Sequence, residues 1–284
     1  MKPLVPLLCI LLFGGCVKDI AVGTVGGIID EGFGAFKEEQ DLELAGQALP
    51  ANLKLVDVML KNSPDDEALL LRASEGYSSY ALGFVEDSDP QRARPLYLRG
   101  RDYGLRMLNE NKELAKALKG SPDDLRAQLS LLDDDMVPAV FWTAFGWGSY
   151  INLSLTEPDA LIDLPRTEAM MQFVLDRDSS YYYGGAHVFL GTLYGSRGKM
   201  LGGNPDLAKQ HFEKALEINK GKFLMTYVYY ARSVAVQTLN EALFDELLAK
   251  VRNESIEVLP EFRLGNAIAK RKAEALVQRK AELF

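Results

Sequence analysis

From Leu42 to the C-terminus, apolar residues return every three or four positions, the period of a helix with one face turned inward. The segment after Asn204 is representative, with Leu207, Phe212, Leu216 and Ile218 spaced at helical intervals. No stretch alternates strictly enough to demand a strand. Between the periodic runs lie start signals, a capping side chain followed by proline, whose missing N–H is harmless in a first turn. Ser63-Pro64-Asp65-Asp66 and Ser121-Pro122-Asp123-Asp124 carry this signal in identical form, and Asp89-Pro90 and Asn204-Pro205-Asp206 are variants of it. The pattern predicts an all-α protein of roughly eleven helices.

A second pattern lies over the first. Gly191, Tyr194, Ala208, Phe212 and Ala215 fall where a tetratricopeptide helical hairpin places its small and aromatic contact residues. Gly76, Ala93, Tyr97 and Gly100 repeat the register 115 positions earlier, and in both units the second helix is displaced by five residues because the linker is long. A middle unit places Trp142, Phe145 and Gly146 on a first helix and Ala169 and Phe173 on a second, although Asp176 stands where a small residue is expected. A fourth, around Ala231 to Leu247, matches weakly. Degenerate repeats with long linkers predict a compact, closed bundle of tetratricopeptide-like hairpins, here assigned to residues 41–284 as a single domain. Residues 17–36 are interrupted by Gly23, Gly26, Gly27, Gly32 and Gly34, and 16–40 is read as a tether that grades into helix near Phe36.

The first residues read as a secretory signal: Lys2, an apolar run from Leu4 to Phe13, then Gly14-Gly15-Cys16. Small residues directly before a cysteine resemble a bacterial lipobox, which makes residues 1–15 a lipoprotein signal peptide and Cys16 the lipid attachment site; an ordinary cleaved signal is the alternative. Cys9 lies inside the removed segment, so a chain acylated at Cys16 has no thiol left and rests on packing alone. Of the 32 basic residues only Lys2 is lost with the signal, leaving 31 against 40 acidic ones, a net charge of −9. That balance argues against nucleic acid and against electrostatic attraction to an anionic membrane; the membrane is reached by the lipid anchor only.

Aromatic density is the most ligand-like feature. Trp147, Tyr182 and Tyr183 lie off the repeat's packing positions and are the first candidates for an apolar cleft. Trp142 and Tyr194 are further candidates, though as occupants of consensus packing positions, like Phe145, they read more readily as core. His187 takes the place of a packing aromatic, and His211, beside Phe212, is expected to face solvent. Neither belongs to a metal-spaced pair, so no metal and no cofactor are expected. Asp133-Asp134-Asp135 reads as a helix start, and Gly202-Gly203-Asn204-Pro205 as a turn with a cap, since no Lys-Ser/Thr follows. A hydrolase using Ser179 or Ser180 with His187 lacks an acid partner and a strained elbow, and the chain is read as not an enzyme. Lys270, Arg271, Lys272, Arg279 and Lys280 give the last helix a basic character, suited to a capping helix with a charged outer face or to a subunit contact.

Seven blocks, taken in order, resemble the T component associated with tripartite ATP-independent periplasmic (TRAP) transporters, a family of helical-repeat lipoproteins. They run Leu49 to Leu60, Glu75 to Glu86, Leu96 to Leu108, Val137 to Ser154, Tyr181 to Tyr194, Gly202 to Val251 and Leu264 to Phe284, and together span nearly all of the chain after the signal. The resemblance implies a periplasm-facing lipoprotein that assembles as a homotrimer and docks the solute-binding component of the transporter. It also implies a hydrophobic cleft or pore for an apolar small molecule, with no signature motif from which ligand residues could be transferred. Val17 in place of Asp after the cysteine points to the outer membrane. The alternative is a helical-repeat lipoprotein that scaffolds envelope assembly without a transport role.

Overall fold

The structure, a computed structural model, describes residues 31–284. The signal peptide, Cys9, Cys16 and most of the Gly-rich segment lie outside the described residues. The elements are α1 (31–38), α2 (Leu42–Asn62), α3 (Glu67–Tyr80), α4 (Pro90–Leu108), α5 (Lys112–Ala117), α6 (Pro122–Leu129), α7 (Val137–Asn152) and α8 (Pro158–Leu161). They continue with α9 (Leu164–Asp178), α10 (Tyr181–Gly195), α11 (Pro205–Asn219), α12 (Met225–Tyr230), α13 (Glu241–Asn253), α14 (Arg263–Gln278) and α15 (Lys280–Leu283). No strand occurs among the described residues, in agreement with the all-α expectation. There are more helices than the roughly eleven expected, because α5, α8 and α15 run only six, four and four residues, too short to display a period. Two π-helical turns, Ala81–Val85 after α3 and Ala231–Ala235 after α12, extend their helices with a wider winding.

Local chemistry sets the boundaries. Ser121 caps α6 in a reciprocal box with Asp124, and Asp89 and Asn204 cap α4 and α11 ahead of their prolines. The identical sequence at Ser63 behaves differently. Ser63 still closes α2, its N–H donating to the Met59 carbonyl, so the cap passes to Asp66, which accepts from the Leu69 N–H. Helix is present by residue 31, ahead of the Phe36 expected, because Phe33 is already buried at 7% exposure and packs into the core.

The helices pair as hairpins, α3 with α4, α7 with α9, α10 with α11, and α12 with α13. The repeat fingerprint marks the contacts: Ala93, Tyr97, Ala208, Phe212 and Ala215 are all fully buried, and a Cβ on Gly191 would come within 2.9 Å of the Phe212 ring. Asp176 is exposed, so its position makes no demand for a small side chain. Apolar side chains form two clusters, one in the first half of the chain and one in the second, with Phe84, Tyr182 and Tyr194 packed against both.

The bundle closes when α14 returns to α2 and to the π turn after α3. Lys272 is therefore buried and not on a charged outer face: its ammonium donates to Glu86 at 2.8 Å and to Asp87 at 2.6 Å, while Arg271 donates to the Gly83 carbonyl. Arg271 and Arg279 are exposed, while Lys270 is half-buried and donates to the Arg252 and Glu254 carbonyls.

Candidate functional site

Where the two clusters meet, the packing leaves a cavity of about 160 Å³. Its walls come from α1, α2, α3, α7, α10, both π turns and the segment 223–268. Its lining is largely apolar and aromatic with a few polar tips, the composition of a small-molecule pocket.

The wall is built by local geometry. On α7, Phe141, Trp142 and Phe145 interlock, with Phe141 and Trp142 edge to face at 5.1 Å. Tyr182 meets Trp142 at 4.8 Å and Phe262 at 5.5 Å, so one ring joins the two halves of the chain. It reaches that place through an unusual backbone. Tyr182, Tyr183 and Gly184 have φ of 49°, 61° and 79°, three successive left-handed residues at the start of α10. Glycine adopts this region freely, but each tyrosine there costs about 1–2 kcal/mol, offset by the aromatic contacts their rings make.

Two buried carboxylates reach the cavity, at different places. Glu75, 3% exposed, accepts Lys37 at 2.7 Å and Arg72 at 2.8 Å. Glu86 accepts Lys272 on one oxygen and the Tyr97 hydroxyl, at 2.5 Å, on the other, with Arg232 at 3.8 Å. Tyr229 and Arg232, three residues apart across the second π turn, line the cavity beside Glu86. Burial and the nearby Glu86 carboxylate push the Tyr229 hydroxyl well above the usual phenol range. For Arg232, burial works to lower the pKa, but Glu86 and Tyr229 outweigh it and the guanidinium is held up.

Of the expected ligand residues, Trp142 and Tyr182 line the cavity. Tyr183 stands one layer behind, stacked on Phe223 at 5.3 Å. Trp147 is buried under the Arg101 guanidinium, 5.4 Å from its ring, away from the cavity. Tyr194 donates to Glu168 at 2.6 Å and stacks on His211. His211 does not face solvent freely as expected; it is half-buried, its Nδ1 2.9 Å from Nδ1 of His187, because α10 and α11 pack with these rings between them. Burial lowers the pKa of both, that of His187 to about 4. Ser180 donates to Asp178 while His187 is engaged with His211, so serine and imidazole form no relay. Arg232 was not among the sequence candidates, and neither were Glu75 and Glu86; the one available signal was a charge placed within an otherwise apolar periodic run.

No helix among the described residues is long and apolar enough to cross a membrane. A relative from Treponema pallidum (strain Nichols), described as an uncharacterized protein, is 26% identical over 266 residues, covering 88% of this chain and 82% of the relative. The model of the TRAP transporter T-component family matches residues 38–284, from the end of α1 to the last residue. A hairpin bundle closed around an apolar cavity, matched by that family over nearly all its described length, belongs to the TRAP transporter T-component family.

Proposed function

We propose that this protein is a non-enzymatic accessory component of a TRAP transporter, anchored through an acylated Cys16 in the outer membrane and facing the periplasm. It docks the transporter's solute-binding component and holds an apolar small molecule in the cavity between its two halves. The observation that carries the ligand half of this function is the aromatic-walled void of about 160 Å³, larger than ordinary packing leaves behind. The docking half is supported by the family the chain belongs to. Homotrimeric assembly is part of the same proposal.

Three measurements test it. The purified lipoprotein is mixed with the solute-binding component and captured; docking predicts co-elution, and no capture at concentrations where the oligomer is intact refutes it. Light scattering gives the mass, three chains being expected. Organic extraction of natively purified protein followed by mass spectrometry is expected to release a stoichiometric apolar compound, and a protein that neither carries nor takes up one refutes the ligand role.

A further inference from the structure

We infer that the cavity's occupant is a slender amphiphile, one alkyl chain ending in a carboxylate, with the carboxylate received by Arg232 and Tyr229. This rests on the apolar-ligand function proposed above and assigns the chemistry of its polar end.

Arg232 lines the cavity with about two-fifths of its side chain open (41%) and, among the described residues, makes no hydrogen bond. Its one ion-pair partner, Glu86, sits 3.8 Å away, beyond hydrogen-bond distance, and both Glu86 oxygens already serve Lys272 and Tyr97. The Tyr229 hydroxyl, one helical turn earlier, likewise has no hydrogen-bond partner among the described residues and lines the same wall. A guanidinium fork and a phenol three residues apart in a largely apolar wall, with their donors uncommitted, fit a planar oxyanion.

Charge decides the sign and the number. Arg232, Arg271 and Lys272 meet Glu86 and Asp87 at this end, three positive groups against two negative, so one negative charge balances the cluster and two overshoot it. A monoanionic carboxylate fits better than a phosphate dianion. A cationic head finds no free carboxylate, since Glu75 holds Lys37 and Arg72, and Glu86 holds Lys272. Size narrows the tail. The cavity of about 160 Å³ opens beside Arg232, whose side chain is 41% exposed, so it suits a single alkyl chain entering tail first and not a sterol or a diacyl lipid.

The test is calorimetric titration of the full-length protein at neutral pH with decanoate, decan-1-ol and decyltrimethylammonium, which share a tail and differ in head charge. Decanoate is expected to bind at least about tenfold more tightly than decan-1-ol, as charge-assisted hydrogen bonds would give. R232Q is expected to erase that preference and Y229F to reduce it in part, with the helical circular dichroism of each variant as the control for folding. Equal affinity for decanoate and decan-1-ol in the wild type, tighter binding of the ammonium probe, or a preference that survives R232Q each overturns the head-group assignment and leaves the apolar cavity standing. Binding of none of the three probes overturns the alkyl-carboxylate assignment, and the mass spectrometry of the natively purified protein decides the ligand function separately.

Discussion

Replacing Lys272 with Met removes the charge that fastens the last long helix to the first half of the bundle. The side chains of Lys272 and Glu86 are 5% and 8% exposed, so the substitution leaves a carboxylate buried without its closest cation. Breaking a buried pair from one side costs about 3–5 kcal/mol. Glu86 retains the Tyr97 hydroxyl at 2.5 Å and Arg232 at 3.8 Å, which places the loss at the lower edge. Asp87, with 46% of its side chain exposed, turns to water and adds about 1 kcal/mol at most. The total is about 3–4 kcal/mol. With a urea slope of roughly 3 kcal/mol/M, the unfolding midpoint followed by helical circular dichroism should fall by about 1 M. Glu86→Gln added to Lys272→Met removes the stranded charge, retains an acceptor for Tyr97, and should recover more than half of the loss. A single-variant shift below about 0.3 M, or a double variant no more stable than the single, would refute the reasoning that this pair locks the bundle.

Three other outcomes can be checked by the same unfolding measurements. Gly104→Ala should destabilise by about 1–3 kcal/mol, because a Cβ there lies 3.0 Å from the Thr143 Cα on α7 and neither backbone can yield, whereas Gly32→Ala, with nothing within 4 Å, should be neutral or stabilising by about 0.5–1 kcal/mol. Ser121→Ala should cost about 1 kcal/mol through its capping box, while Ser63→Ala, at the end of α2, should stay within about 0.5 kcal/mol; equal effects would contradict the cap assignments. The His187 pKa is lowered by burial to about 4, below the roughly 6.5 of an unfolded chain, so the unfolded state takes the proton first and stability drains away as pH falls from about 6.5 to about 4. His187→Gln should flatten the melting temperature over that interval, and curves that run parallel to wild type would dismiss the histidine as its source.

Much of the fold was legible because local rules and burial agree. Ala93, Tyr97, Ala208 and Phe212 were readable as contact residues from spacing alone, and all four are fully buried. Ser63 was misread because a cap signal says nothing of where the preceding helix stops; α2 runs into it. For the candidate site, Trp142 and Tyr182 were visible as aromatics but not as neighbours, since their meeting depends on the left-handed turn at Tyr182 to Gly184, which sequence periodicity does not encode. Arg232 was hidden for a related reason. A π turn winds more slowly than an α-helix, so any face counted at 3.6 residues per turn goes out of register at Ala231, just where Arg232 joins the wall. The Lys272 contact spans 186 residues of chain to Glu86, a distance over which a local pattern carries no information.

The cavity wall draws on both ends of the described chain, Phe33, Phe36 and Lys37 from the start and Phe262, Leu264 and Ile268 near the finish. Polypeptides emerge from the N-terminus, and structure tends to form in that order. A chain still lacking its last thirty or so residues therefore has the aromatic floor of the chamber but not its far side. The cavity is complete only once the segment 254–284 has packed, and a stop codon between Asn253 and Arg263 would leave it without the side that Leu264 and Ile268 supply.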